Sequence, residues 1–129
     1  REQGRLGEAR EALARVDRIQ QARGELDGAW RAETLLQLGI LAARSGAREE
    51  AGKYLEAAAE LSSRAVAGGN RSTARAWLAL TRVLAAPARE RRCGELLARA
   101  VAIEARFLAP DHPERREMEA ALAACPAPR

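Results

Sequence analysis

The chain has 129 residues, of which 47% are hydrophobic, only 3% are aromatic and 31% are charged. A chain of this length forms about one domain. The shortage of aromatic residues disfavours β-sheets, whose strands are enriched in aromatic and β-branched side chains. The net charge is +4, but basic and acidic residues alternate, which is typical of solvated helix faces and disfavours nucleic-acid binding. Alanine and leucine supply most of the apolar residues, so the composition predicts an all-α protein.

The residues that usually carry chemistry are scarce. His112 is the only histidine, and Cys93 and Cys125 are the only cysteines, so four zinc ligands cannot be assembled convincingly. We predict no catalytic residue, no metal site and no cofactor. The two cysteines are expected to be buried free thiols in a reducing compartment. Neither a signal peptide nor an apolar run of about 18 residues is present, so the expected location is the cytoplasm and no membrane contact is predicted.

Apolar residues recur at helical spacing along the whole chain, and they predict two kinds of helix. The first, third and fifth segments carry one apolar stripe each, such as Leu6, Leu13 and Ile19 in the first. The second and fourth segments are apolar nearly all round, which indicates helices packed on two sides. The six predicted helices lie near residues 5–23, 28–45, 47–67, 71–86, 89–108 and 112–124.

Turn and capping residues fall between these segments. Gly46 and the pair Gly68-Gly69 follow predicted helix ends, where glycine accepts a left-handed conformation. Asp27 and Asn70 are predicted N-caps. The stretch from Asp111 to Glu114 has the spacing of a capping box with a proline in the first turn, and His112 is interpreted as part of this cap.

Residue types recur at an interval of 42 residues without a gap, which indicates an internal repeat. Small residues occupy one position of each copy and leucines occupy another. The matched sets are Ala9, Ala51 and Cys93; Leu13, Leu55 and Leu97; and Ile19, Leu61 and Ile103.

These repeated positions resemble the tetratricopeptide repeat. Gly39, Gly46 and Ala51 in the central copy stand where that family has its close helix contact, its hairpin turn and its helix crossing, and Leu55 and Ala58 also fit the arrangement. The period of 42, together with the Pro-Asp-His-Pro loop at residues 110–113, is similar to the kinesin-light-chain subtype. The resemblance implies a right-handed superhelical solenoid of antiparallel helix hairpins that binds a protein partner in a concave groove.

The resemblance also implies a division of the chain into repeats. The first segment would be the outer helix of an incomplete repeat, and the chain is expected to be the C-terminal segment of a larger bacterial regulatory or signalling protein. A structural element for homo-oligomerisation, with self-association through the N-terminal face, is the alternative, and a nucleic-acid-binding array is a weaker one. The expected units are residues 1–26, a repeat at 27–69, a repeat at 70–110, a capping helix at 111–125 and a tail at 126–129.

The predicted groove has an apolar floor edged with arginines, which suits an amphipathic helix or an acidic, apolar segment of a partner. Asn70 is the only asparagine, and it lies in a turn, so the backbone grip common in the family is not expected. Trp77 is predicted to be core. Trp30 is expected to close the end of a helix pair, with a partner anchor as the alternative. The predicted groove residues are Glu33, Leu36, Gln37, Ile40, Arg44, Arg75, Leu78 and Arg82, with Ala120 and Ala124 from the last helix.

Overall fold

A computed structural model describes residues 2–22 and 28–127 of the chain, with side chains from residue 4 onward. Every regular element in this part is an α-helix, so the expected all-α architecture is confirmed. The helix bounds differ from the predicted ones by three residues at most. The elements are α1 (Glu2–Ala22), α2 (Gly28–Arg44), α3 (Arg48–Ala65), α4 (Arg71–Val83), α5 (Ala88–Phe107) and α6 (Pro113–Ala123).

The helices stack as a series of hairpins, because each helix packs against the next one along the chain. In addition, α2 contacts α4, and side chains of α4 form ion pairs with α6. The even-numbered helices therefore form one layer of the stack. None of the described helices is long and apolar enough to cross a membrane.

Two apolar clusters fill the stack. The first lies mainly between α2 and α3 and includes Leu36 and Leu55. The second joins α4, α5 and α6 and includes Leu97 and Met118. Trp77 contacts both clusters but is only partly buried, so it lies at their boundary rather than inside the core as predicted.

The caps agree in part with the predictions. Asn70 caps α4: its side chain accepts from the Thr73 N–H, while Thr73 Oγ1 accepts from the Asn70 N–H at 3.0 Å. The cap of α6 is His112, whose Nδ1 accepts from the Glu114 N–H at 3.1 Å, so the capping role of His112 is confirmed. Asp111 is not the cap, and the Glu114 carboxylate pairs with arginines of α4 instead. The predicted cap Asp27 lies outside the described residues.

The expectation of two free thiols is wrong. Cys93 and Cys125 form a disulfide with an Sγ–Sγ distance of 2.05 Å. Cys93 lies in α5, and Cys125 follows α6, which folds back along α5. The spacing of 32 residues does not indicate this pairing in the sequence, because it depends on where α6 docks.

Gly39 is required by the close contact between α2 and α3. A Cβ atom at this position would lie 2.5 Å from Leu55 Cδ2, and Leu55 is fully buried and cannot move aside. We expect Gly39→Ala to lower the free energy of unfolding by about 1–3 kcal/mol, the usual cost of overpacking. Urea unfolding followed by circular dichroism measures the change.

Gly52→Ala provides the matched control. Gly52 is also helical, but no atom lies within 4 Å of an added Cβ, so this variant should be neutral or more stable by up to about 1 kcal/mol. Equal stability of the two variants would contradict the close contact.

Candidate functional site

A groove of about 440 Å³ lies between α2, α4 and α6. Helical spacing explains its composition, since Ile40 and Arg44 lie one turn apart on α2, and Arg75, Leu78 and Arg82 follow one face of α4. The apolar lining comes from Ile40, Ala43, Leu78, Ala79, Val83 and Met118, and the charged lining from Arg44, Arg75, Arg82, Glu114 and Glu117.

Five of the eight predicted groove residues line this groove: Ile40, Arg44, Arg75, Leu78 and Arg82. They come from two different helices, and the fold brings them to one surface. Their arrangement provides an apolar floor with arginines at its edge. That they bind a partner stays a prediction.

The other three predicted residues do not line the groove. Leu36 is only 1% exposed and belongs to the first apolar cluster, so its predicted place in the groove is wrong. Because α2 is apolar on most sides, its sequence did not distinguish the core face from the groove face. Glu33 and Gln37 hydrogen-bond to each other at 3.2 Å, and Glu33 also accepts from Ser72 Oγ at 2.7 Å.

The third wall of the groove was predicted on the wrong face of α6. Glu114, Glu117 and Met118 line the groove, whereas Ala120 and Ala124 are exposed and do not. Met118 is the buried residue of this helix, and its pairing with Leu122 one turn later on the same face was the available signal.

Ion pairs cross the groove from α4 to α6. Arg75 Nη2 lies 3.3 Å from Glu114 Oε2, and Arg82 Nη2 lies 3.6 Å from Glu117 Oε2. These side chains are between 43% and 58% exposed, so the pairs contribute little to stability. Their effect on the site is to give one edge of the groove both signs of charge.

Arg71 extends this network to a buried carboxylate. It pairs with Glu114, and its Nε lies 3.5 Å from Oε1 of Glu104, whose side chain is fully buried in α5. Burial by itself raises the pKa of Glu114, but the hydrogen bond from Arg75 and the positive charges of Arg75 and Arg71 outweigh it and lower that pKa. The Glu114 pairs are therefore retained above the ordinary pKa of a glutamate and are lost as the pH falls through the lowered value.

A second, larger groove of about 850 Å³ runs along α3, with Leu80, Val83 and Leu84 at its base. Two charged residues that line it already have partners within the protein. Arg48 Nη2 donates to the Val83 carbonyl at 3.2 Å, and Glu56 forms an ion pair with Arg92 at 2.8 Å. This groove lies between α3 and the C-terminal end of α4, and Val83 lines both grooves. Among the described residues, no three histidine, cysteine or acidic side chains cluster as metal ligands would.

The chain is similar in structure to the TPR-like repeats of a putative kinesin light chain from Podosopora anserina. A crystal structure of a variant of those repeats matches with a TM-score of 0.80 and 26% sequence identity, over 95% of this chain and 57% of that one. Another crystal structure of these repeats matches with a TM-score of 0.68 and 27% identity, over 95% of this chain and 58% of that one. This chain thus spans less than two-thirds of the length of the chains it matches. No protein-family model and no curated protein matches it.

Proposed function

We propose that this chain, a tetratricopeptide-like helical-repeat protein, is a non-catalytic scaffold. Its groove between α2, α4 and α6 binds a segment of a partner protein. The observation that carries the proposal is the groove itself: an open apolar floor that spans three helices and is edged with charge. Apolar surface of this kind is stabilised when a ligand covers it.

The lining favours a partner segment with an apolar face and acidic flanks. Ile40 and Val83, which are partly exposed, offer apolar contact area, while Arg44 and Arg82 can pair with carboxylates. Arg82 faces Glu117, so an acidic ligand competes with an internal pair that is solvent-exposed and therefore weak. An amphipathic helix with glutamates or aspartates beside its apolar stripe meets these requirements.

The wider setting belongs to the same proposal. We place the repeats in the cytoplasm, as part of a larger bacterial regulatory protein in which they recruit a partner. The matched Podosopora anserina chains extend well beyond the region similar to this one, which is compatible with a longer array.

Homo-oligomerisation is the second candidate, because Ile19 and Trp30 are each 53% exposed near the α1–α2 end of the stack. Sedimentation equilibrium separates the two functions: a mass that rises with concentration favours self-association, whereas a constant monomer mass favours the groove. If the protein instead bound nucleic acid, its affinity for the nucleic acid would fall steeply as the salt concentration rises.

Charge reversal at the groove tests the proposal. We would select binding peptides from a displayed peptide library on the wild-type chain and measure their dissociation constants by fluorescence anisotropy. The selected peptides should combine apolar and acidic residues. Replacing Arg44 and Arg82 together by glutamate should weaken their binding about tenfold or more, because two attractive contacts become repulsive.

The matched control reverses the same number of charges on the odd-numbered helices. Arg64 and Arg99 are 72% and 60% exposed, and each pairs with a glutamate one turn away. The Arg64→Glu/Arg99→Glu variant should bind the selected peptides within about twofold of the wild type. Equal losses in the two variants, or no loss in either, would place the binding surface elsewhere.

A further inference from the structure

The groove wall formed by α6 is weakly anchored by noncovalent contacts. This helix has 11 residues, and Met118 is the one buried residue among them. An isolated helix shorter than about 12 residues is marginal in water, so α6 depends on its contacts with the rest of the stack. Its ion pairs with Arg75 and Arg82 are half-exposed and weak, and the less exposed Arg71 pairs with Glu114 in its first turn, far from its C-terminal end.

The Cys93–Cys125 disulfide supplies the covalent anchor. Cys93 is 2% exposed and lies in α5 among the residues of the second apolar cluster. Cys125 is partly buried and follows the C-cap of α6 by one residue. The bond thus joins the distal end of α6 to the preceding helix, at the end opposite the Glu114 ion pairs.

We propose that the Cys93–Cys125 disulfide is a redox latch that keeps α6 docked and thereby keeps the third wall of the groove in place. Reduction releases the distal end of α6, so Glu117 and Met118 leave the groove lining. The consequence for partner binding rests on the function proposed above, whereas the release of α6 does not depend on it.

The chemistry of the latch is thiol–disulfide exchange with a dithiol reductant. One thiolate of the reductant attacks Sγ of Cys125, the more exposed of the two cysteines, and Cys93 leaves as a thiolate. The second thiol of the reductant then displaces Cys125 from the mixed disulfide. The protein gains two electrons and two protons and becomes a dithiol, while the reductant loses the same and becomes a disulfide.

The remaining stack does not depend on this bond. The first apolar cluster is built from α2, α3, α4 and α5, and no residue of α6 belongs to it. In the predicted 42-residue repeat, the position of Cys93 is occupied by alanine in the other two copies, at Ala9 and Ala51. A small side chain is therefore sufficient for packing there, and the sulfur of Cys93 serves the link to Cys125.

Hydrogen–deuterium exchange on the whole chain tests the latch without any partner. The wild type would be compared after equilibration with oxidised and with reduced dithiothreitol, and its thiols counted by alkylation and mass spectrometry. We expect the amides of residues 117–123 to exchange about tenfold or more faster in the reduced protein, because α6 opens locally. The amides of α2 and α3 should change by less than about twofold.

The Cys93→Ala/Cys125→Ser variant controls for effects of the reagents. It should show the fast exchange of α6 in both buffers, with α2 and α3 as slow as in the wild type. Three results would overturn the proposal: two free thiols in the protein under the oxidising condition, equal exchange of α6 in the two wild-type samples, or a general loss of protection that includes α2 and α3.

Discussion

Leu36→Glu is expected to unfold the protein rather than merely to block its groove. Leu36 is 1% exposed in the cluster that also contains Leu38, Leu55 and Leu80, so the new carboxylate would be buried among apolar side chains without a partner. An uncompensated buried charge costs several kcal/mol, about 4 or more here. Domains of this size are stable by about 5–15 kcal/mol, so most or all of the stability would be lost. Far-UV circular dichroism and urea unfolding measure the effect.

Ile40→Glu is the matched comparison, one turn further along α2. Ile40 is partly buried and lines the groove, so its carboxylate can reach water and the variant should remain folded. If the free energy of unfolding of the Leu36→Glu variant instead stayed within about 1 kcal/mol of the wild-type value, Leu36 would face the groove as the sequence pattern indicated.

Trp77→Ala should lower the free energy of unfolding by about 3 kcal/mol, near the lower end of the range for removing a large aromatic side chain from a core. Trp77 is partly exposed, but it packs against both apolar clusters, so its loss leaves a gap between two halves of the stack. Thermal and urea unfolding report the change, and a broadened transition would show that the halves have become less strongly coupled.

Trp30→Ala removes the other tryptophan and serves as the control. Trp30 is 53% exposed near the start of α2, so its replacement should cost less than about 1 kcal/mol. Similar losses for the two variants would mean that Trp77 does not join the clusters, and the internal repeat that placed it would be in doubt.

Several features of the fold were predictable because they depend on neighbours along the chain. The spacing of apolar residues follows the helical period, so six helices and their bounds could be read locally. The cap at Asn70 and the turn glycines follow from backbone stereochemistry within a few residues. The 42-residue period stays a prediction, although the helical-repeat fold that it indicated is confirmed.

The groove was predictable only in part. Arg75, Leu78 and Arg82 were identified because their spacing of three and four residues places them on one face of the fourth helix. Leu36 was misplaced because α2 is apolar on most sides, and periodicity does not distinguish a core contact from an open one when both are apolar. The α6 wall was misplaced because its rotation is determined by Met118 and by the arginines of α4.

The sequence by itself determined the all-α class, the helix positions and the turns, since each depends on local periodicity and backbone preference. The family of repeats came from the resemblance of its recurring residues to the tetratricopeptide repeat. The tertiary structure alone decided which side of α2 is core, which face of α6 lines the groove, and that Cys93 and Cys125 meet in a disulfide. The reason is physical: these features depend on contacts between residues far apart in the chain, whose distances are set only when the helices pack.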